Sequence, residues 1–401
     1  MKVVRNFTLI LIGLTALIKP VSGQITTDQL SGKINTVTTS VPFLTIAPDS
    51  RSGGMGDVGV ALSPDANSMH WNPAKYAFVT NDVGLSISYT PWLRKLIPDI
   101  NLAYLSGYKR IDKNQVIGLS LLYFSLGNIN FTNDVGTTTQ TFNPNEFSVD
   151  AAYARSFSDK FSASLAFRFI YSNLTGGAFV NGIESHPGMA YASDISIFYQ
   201  NKELRLKDYD ATFAFGMNIS NIGSKISYTQ NSDKDFIPIN LRIGAAYTIQ
   251  FDDYNSLTAS CDLNKLLVPS PPLYYNPGDS VSATGDPVIK SGYDPNVGVP
   301  VGMFRSFYDA PGGFGEELRE ISIASGLEYW YAKQFAIRTG FFYEDATKGN
   351  RKYFTVGIGL RLNVFGLDFA YLVPVNGQNS PLANTLRFSM LFNFAGLNGK
   401  K

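Results

Sequence analysis

The chain has 401 residues, of which 16% are charged and 13% aromatic, with 33 Lys and Arg against 32 Asp and Glu. A net charge of +1 leaves no basic footprint, so no nucleic-acid partner is expected. The single cysteine, Cys261, excludes an internal disulfide and falls on the apolar face of a strand pattern, where it reads as a small hydrophobe.

Lys2 and Arg5 precede an apolar run from Phe7 to Ile18, followed by Val21-Ser22-Gly23. That is the pattern of a cleaved secretory signal peptide over residues 1–23, with the mature chain beginning at Gln24. No later stretch holds eighteen uninterrupted apolar residues, so no transmembrane helix is expected. An exported chain without such a helix enters a membrane integrally only as a closed barrel.

Residues 24–82 show no alternation of period two and carry their own turn chemistry. Four glycines fall between Gly53 and Gly59, suited to tight turns or to close packing on another surface. Asp65 or Asn67 could cap a short helix. Phe43, Leu44, Met55, Val58 and Trp71 are poor choices for a solvated leader. The segment is therefore expected to be a plug inside a barrel, entering from the rim that carries the short turns, with Arg51, Met55, Asp57, Trp71 and Asn72 as its candidate site residues.

Fourteen strand candidates follow over residues 83–394: Val83–Tyr89, Ile100–Lys109, Gln115–Phe124, Glu146–Ser156, Phe161–Tyr171, Ala190–Tyr199, Tyr209–Ile219, Ile239–Ile249, Asn255–Asn264, Ile321–Trp330, Phe335–Tyr343, Tyr353–Leu362, Gly366–Leu372 and Leu386–Phe394. Phe161–Tyr171 shows the pattern most clearly, with Phe, Ala, Leu, Phe, Phe and Tyr on one face and Ser, Ser, Ala, Arg and Ile on the other. Short and long connections alternate, the asymmetry of an outer-membrane barrel with long extracellular loops. The fold class expected is all-β: a 14-stranded antiparallel transmembrane β-barrel with an N-terminal plug, in contact with outer-membrane lipid, followed by a short periplasmic tail at 395–401.

The small-residue face carries charge. Folding each hairpin about its short turn sets Asp150 opposite Arg168, Arg242 opposite Asp262, Glu328 opposite Arg338 and Arg361 opposite Asp368. An Arg turned toward lipid would cost about 2–4 kcal/mol at mid-bilayer, so these are expected to be lumen-filling ion pairs. On the outer face, Tyr104, Tyr108, Phe161, Tyr171, Tyr191, Tyr199, Tyr329, Tyr343 and Tyr353 are expected in aromatic girdles.

Residues 265–320 form the outlying loop. Eight prolines deny it a continuous sheet, yet seven aromatics are too many for a disordered segment. It reads as an ordered extracellular binding loop with Pro271, Pro272, Tyr274, Tyr275, Tyr293, Phe304, Phe307 and Phe314 as candidate partner-binding residues. The alternative is a lid packed only on its own barrel.

Catalysis has thin support. His70 and His186 are isolated, and the sequence has no nucleophile elbow, metal-ligand cluster or phosphate loop, so neither catalytic residues nor metal nor cofactor are expected.

The run Pro48-Asp49-Ser50-Arg51 to Gly59-Val60-Ala61, continuing through Asp65-Ala66 and Trp71-Asn72-Pro73-Ala74, resembles the PorV family of outer-membrane barrels, within the wider FadL-like transporter superfamily. The resemblance implies a non-enzymatic part of the type IX secretion system of Bacteroidetes. Its partners would be the translocon barrel, the C-terminal signal domains of secreted proteins and the surface sortase complex. Two further readings stand beside the secretion shuttle: a FadL-like channel for small hydrophobic solutes and, last, a lipid hydrolase.

Overall fold

The computed structural model describes residues 34–93, 99–132, 135, 138–177, 179–180, 183–229, 234–275, 288–375 and 385–394. The expected signal peptide and the tail after Phe394 lie outside the described residues.

Fourteen strands close into one barrel. They are β1 (Val83–Pro91), β2 (Ile100–Arg110), β3 (Gln115–Leu126), β4 (Asn145–Ser156), β5 (Phe161–Asn173), β6 (Gly188–Leu206), β7 (Tyr209–Gly223), β8 (Asn240–Gln250), β9 (Asn255–Leu266), β10 (Ser322–Tyr331), β11 (Phe335–Tyr343), β12 (Lys352–Leu362), β13 (Phe365–Pro374) and β14 (Leu386–Phe394). Each pairs antiparallel with the next, and β1 pairs with β14 to remove both edges. β6 runs on to Leu206, so its turn into β7 is the pair Lys207-Asp208, with Lys207 at φ 56°. The short turns and the long loops fall on opposite rims.

Alternation decides which way each side chain points. Leu85, Ile87, Leu105, Leu119, Leu165, Phe167, Ile337 and Val356 stand exposed on the outer face, and Cys261 is there too. Ser86, Ser88, Asp150, Arg168, Asp194, Arg338 and Arg387 are buried in the lumen. Phe161, Tyr171, Tyr191, Tyr199, Tyr329 and Tyr343 keep the outward parity expected of them. Tyr104, Tyr108 and Tyr353 do not: all three are buried on the lumen side. The reason is the plug, whose apolar flank needs an apolar wall. Tyr108 packs on Tyr76 with ring centroids 5.3 Å apart, and Tyr353 stacks on Phe342 at 5.0 Å beside Met55.

The N-terminal segment runs the length of the lumen. Asn35 lies among the long loops, donating from its main chain to Thr347 O at 3.0 Å and from its side chain to Pro271 O at 3.0 Å. From there the chain descends through short helical turns at Pro42–Thr45, Ser50–Gly53, Ser68–Trp71 and Pro73–Phe78, and joins β1 at the opposite rim. The expectation of entry from the short-turn rim is therefore corrected: the first described residues sit at the far end. Asn67 occupies the N-cap position of the Ser68–Trp71 turn without a side-chain capping bond, and Asp65 accepts the Asn67 N–H instead.

Close approach of backbone to backbone explains the glycines. A Cβ at Gly340 of β11 would lie 2.0 Å from the Met55 carbonyl carbon, and Gly56 itself takes φ 74° against Phe341.

Candidate functional site

Plug and wall are joined by charge. The Arg51 guanidinium donates to both Glu328 carboxylate oxygens, at 3.0 and 2.8 Å, and to Asp65 at 2.9 Å. Glu328 also accepts from Arg338 at 2.7 Å, Arg338 reaches Asp368 at 2.8 Å, and Asp368 is held by Arg361 at 2.7 Å. Asp65, Arg51, Glu328, Arg338, Asp368 and Arg361 thus form one alternating chain, with as many acids as bases. Every buried charge in it has an opposite neighbour, which is the condition for tolerating such groups away from water.

The remaining candidate residues of the plug are similarly fixed. Asp57 accepts from Arg387 at 2.7 Å and from the Tyr353 hydroxyl. The Trp71 indole N–H donates to Asp49 Oδ1 at 2.6 Å, while Asp49 caps the Ser50–Gly53 turn through the Ser52 N–H. Asn72 donates to Val60 O at 3.0 Å and to Ile197 O on β6 at 2.9 Å. Met55 is fully buried against Val58, Leu62, Phe342 and Leu372.

Two of the four expected cross-strand pairs lie directly opposite in register: Asp150 with Arg168 and Glu328 with Arg338. Arg168 binds Asp150 and also Asp194 at 3.2 Å. The other two pairings are corrected. Arg242 faces Asn264 rather than Asp262, because the Asp252 carboxylate accepts the N–H groups of Tyr254 and Asn255 and centres that turn one residue later. Arg361 faces Gly366 rather than Asp368, because Asn363 at φ 48° makes a two-residue turn with Val364. Arg361 still reaches Asp368 diagonally. Asp262 serves the plug instead, accepting from Gly59 N at 2.7 Å and Val60 N at 2.9 Å. Arg242 donates from Nε to Asn264 at 2.6 Å and lies over the Trp71 ring, 4.5 Å from its centroid.

Among the described residues of 265–320, a short hairpin (Leu273–Tyr274 with Ile289–Ser291) is followed by helices at Val299–Arg305 and Phe314–Arg319. A polar core holds them. Lys265 binds Glu317 at 2.9 Å and Glu320 at 2.7 Å, while Lys348, from the neighbouring loop, binds Glu316 at 2.6 Å and Glu320 at 2.9 Å. Ser270 donates to Glu320 at 2.7 Å, and its N–H reaches Asp309 at 3.2 Å. Burial pushes the Asp309 carboxyl up to about 6. This cluster escaped sequence reasoning, because its members come from separate loops and share no spacing.

The aromatics of the same loop point away from that core. Phe304 is 74% and Phe314 76% exposed, and Tyr274, Tyr275, Tyr293, Phe307 and Tyr308 are all exposed. Pro271 and Pro272 line a groove together with Lys225, Lys234, Asp235 and Phe236. His70 sits in the plug edge-on to Trp71, with ring centroids 4.8 Å apart, and His186 lies in a long loop, so the structure brings neither to the other.

A model of the family described as "Type IX secretion system protein PorV" matches residues 29–273. Solved structures to which the chain is similar include the Ralstonia pickettii toluene transporter TbuX, at 12% identity, covering 87% of this chain and 98% of that one with a TM-score of 0.45. A Pseudomonas aeruginosa FadL homologue matches at 13% identity, covering 90% and 100% with a TM-score of 0.43. No curated protein matches.

Proposed function

The chain belongs to the PorV family of type IX secretion proteins, outer-membrane β-barrels, and on that premise we propose that it is a carrier which binds secreted proteins through their C-terminal signal domains at the translocon and hands them to the surface attachment complex. One observation carries this reading. The 265–320 loop is anchored by a buried ionic core, yet leaves its aromatic side chains in solvent on the long-loop rim, which is extracellular in barrels of this kind. Exposed aromatics on a rigid support are the usual centre of a protein-binding surface, while the same aromatics on a self-packed lid would be covered.

The test is a barrel carrying Phe304→Ser, Phe307→Ser and Phe314→Ser together. Secreted cargo should stop co-purifying with it, while the barrel still folds and inserts. Undiminished cargo capture would sink the reading. The channel for small hydrophobic solutes has less support, since Asp57, Arg242, Glu320, Glu344, Lys348 and Arg351 put charge in the wall of the cavity above the plug and apolar solutes prefer apolar walls.

A further inference from the structure

Above the plug the lumen opens into a cavity of about 460 Å³, within the range of sites that hold small ligands. Six charged residues line it: Asp57, Arg242, Glu320, Glu344, Lys348 and Arg351. Five of them are neutralised by neighbours, Asp57 by Arg387, Glu344 and Arg351 by each other, Lys348 and Glu320 by each other. Arg242 is the exception. Its side chain is the one lumen guanidinium among Arg51, Arg168, Arg242, Arg338, Arg361 and Arg387 that makes no ion pair with a described residue. It is only 9% exposed, its Nε is committed to Asn264, and Trp71 supports the face of the guanidinium. Nη1 and Nη2 donate to no described group. The stacked, unpaired fork lines the cavity, and a carboxylate matches its planar geometry.

The wall of the same cavity says what would carry that carboxylate. Thr36–Thr39 line it, in neither helix nor strand, between two anchors, Asn35 N–H on Thr347 O and Ser40 N–H on Phe236 O, each at 3.0 Å. Between those anchors the main-chain groups of Thr36–Thr39 pair with no described residue. Unused main-chain N–H and C=O groups beside a cavity can pair with the main chain of a bound peptide. Thr36, Thr38, Asn240, Asn264 and Ser322 add hydrogen-bonding groups to a lining that also holds Val37, Leu266 and Phe342, a mixture that suits a peptide.

We propose that this cavity captures the C-terminal end of an extended polypeptide, its terminal carboxylate on the Arg242 fork and its main chain alongside Thr36–Thr39. This rests on the carrier reading and sharpens it: the exposed aromatics would hold the body of the cargo, and the cavity its last residues.

The test uses the purified full-length barrel in detergent and two pools of fluorescein-labelled hexapeptides of the same randomised composition, one ending in a free carboxylate and the other in a carboxamide. The native barrel should retain the acid pool at least fivefold over the amide pool. Arg242→Gln should abolish that preference, Arg242→Lys should keep part of it, and Thr38→Pro, which removes one donor from an exposed segment, should weaken retention. Equal retention of both pools by the native barrel overturns the proposal, and that arm needs no variant to fold. An undiminished acid preference in Arg242→Gln overturns it as well. Displacement of the acid pool by sodium laurate while a free-acid hexapeptide fails to displace labelled laurate would assign the site to fatty acids, and overturns it too. None of these failures touches cargo co-purification, whose loss from the Phe304, Phe307 and Phe314 variant bears on the carrier reading alone.

Discussion

Arg51 and Glu328 are 277 residues apart in sequence and share two hydrogen bonds, at 2.8 and 3.0 Å, in the middle of the lumen. Replacing Arg51 with Ala leaves Asp65 without its ion-pair partner and Glu328 with Arg338 alone, and breaking a buried pair of this kind costs about 3–5 kcal/mol. Arg51→Ala is expected to free the plug for cleavage by trypsin added to detergent-solubilised barrel, at a rate at least tenfold above the native protein. Equal protection of the two would show that the ion pair does not hold the plug.

Arg168 serves two acids, Asp150 and Asp194, and all three are buried. Arg168→Ala should lower barrel stability by about 3–5 kcal/mol, read as an earlier loss of heat-modifiable mobility on gels. Arg168→Lys should recover part of the loss, since a single ammonium cannot reach both carboxylates in the same geometry.

Gly340 has no room for a side chain. Any Cβ there meets the Met55 main chain at 2.0 Å, so Gly340→Val cannot be absorbed by a rotamer change. Overpacking of this kind costs about 1–3 kcal/mol or more. The variant is expected to insert with its plug displaced, measured as increased ion conductance in planar bilayers; conductance at the native level would count against the described seating of Met55 and Gly56.

The loop core has its own pH dependence. Burial raises the Asp309 carboxyl from 3.8 to about 6, with Glu317 and Glu320 adding like charge, while hydrogen bonds from Ser270 pull the other way. Because the folded value lies above the unfolded one, folding favours the protonated form. The Asp309 contribution should be full below about 3.8 and lost as pH rises through about 6. Amide exchange of residues 306–320, corrected for intrinsic rates, should be faster at pH 7.5 than at pH 5, and Asp309→Asn should remove the difference.

Strand count, parity and the register of hairpins 150/168 and 328/338 were legible because strand alternation and turn length sufficed to fix them. The register at Arg242 and Arg361 was not. It hangs on single turn residues, Asp252 and Asn363, whose side-chain bond or left-handed backbone moves the hairpin axis. The inward placement of Tyr353 was legible, since it shares the parity of Arg361, whereas that of Tyr104 and Tyr108 was hidden for a different reason. In β2 both faces carry apolar residues, one toward lipid and the other toward the plug, so amphipathic contrast fades where a lumen is filled by protein. The free fork of Arg242 was invisible because a misread register supplied it with an imaginary partner.

The path of the plug has a bearing on how the molecule is made. A polypeptide that enters a sealed cylinder at one mouth and leaves by the other cannot be slipped in from the side once the first and last strands have met. Ser50 of the plug bonds to Ser389 of β14, and Ser389 to Ser88 of β1, right at that meeting line. The wall is therefore expected to curl around a plug already in place, with the seam between β1 and β14 zipping last over a template it then locks.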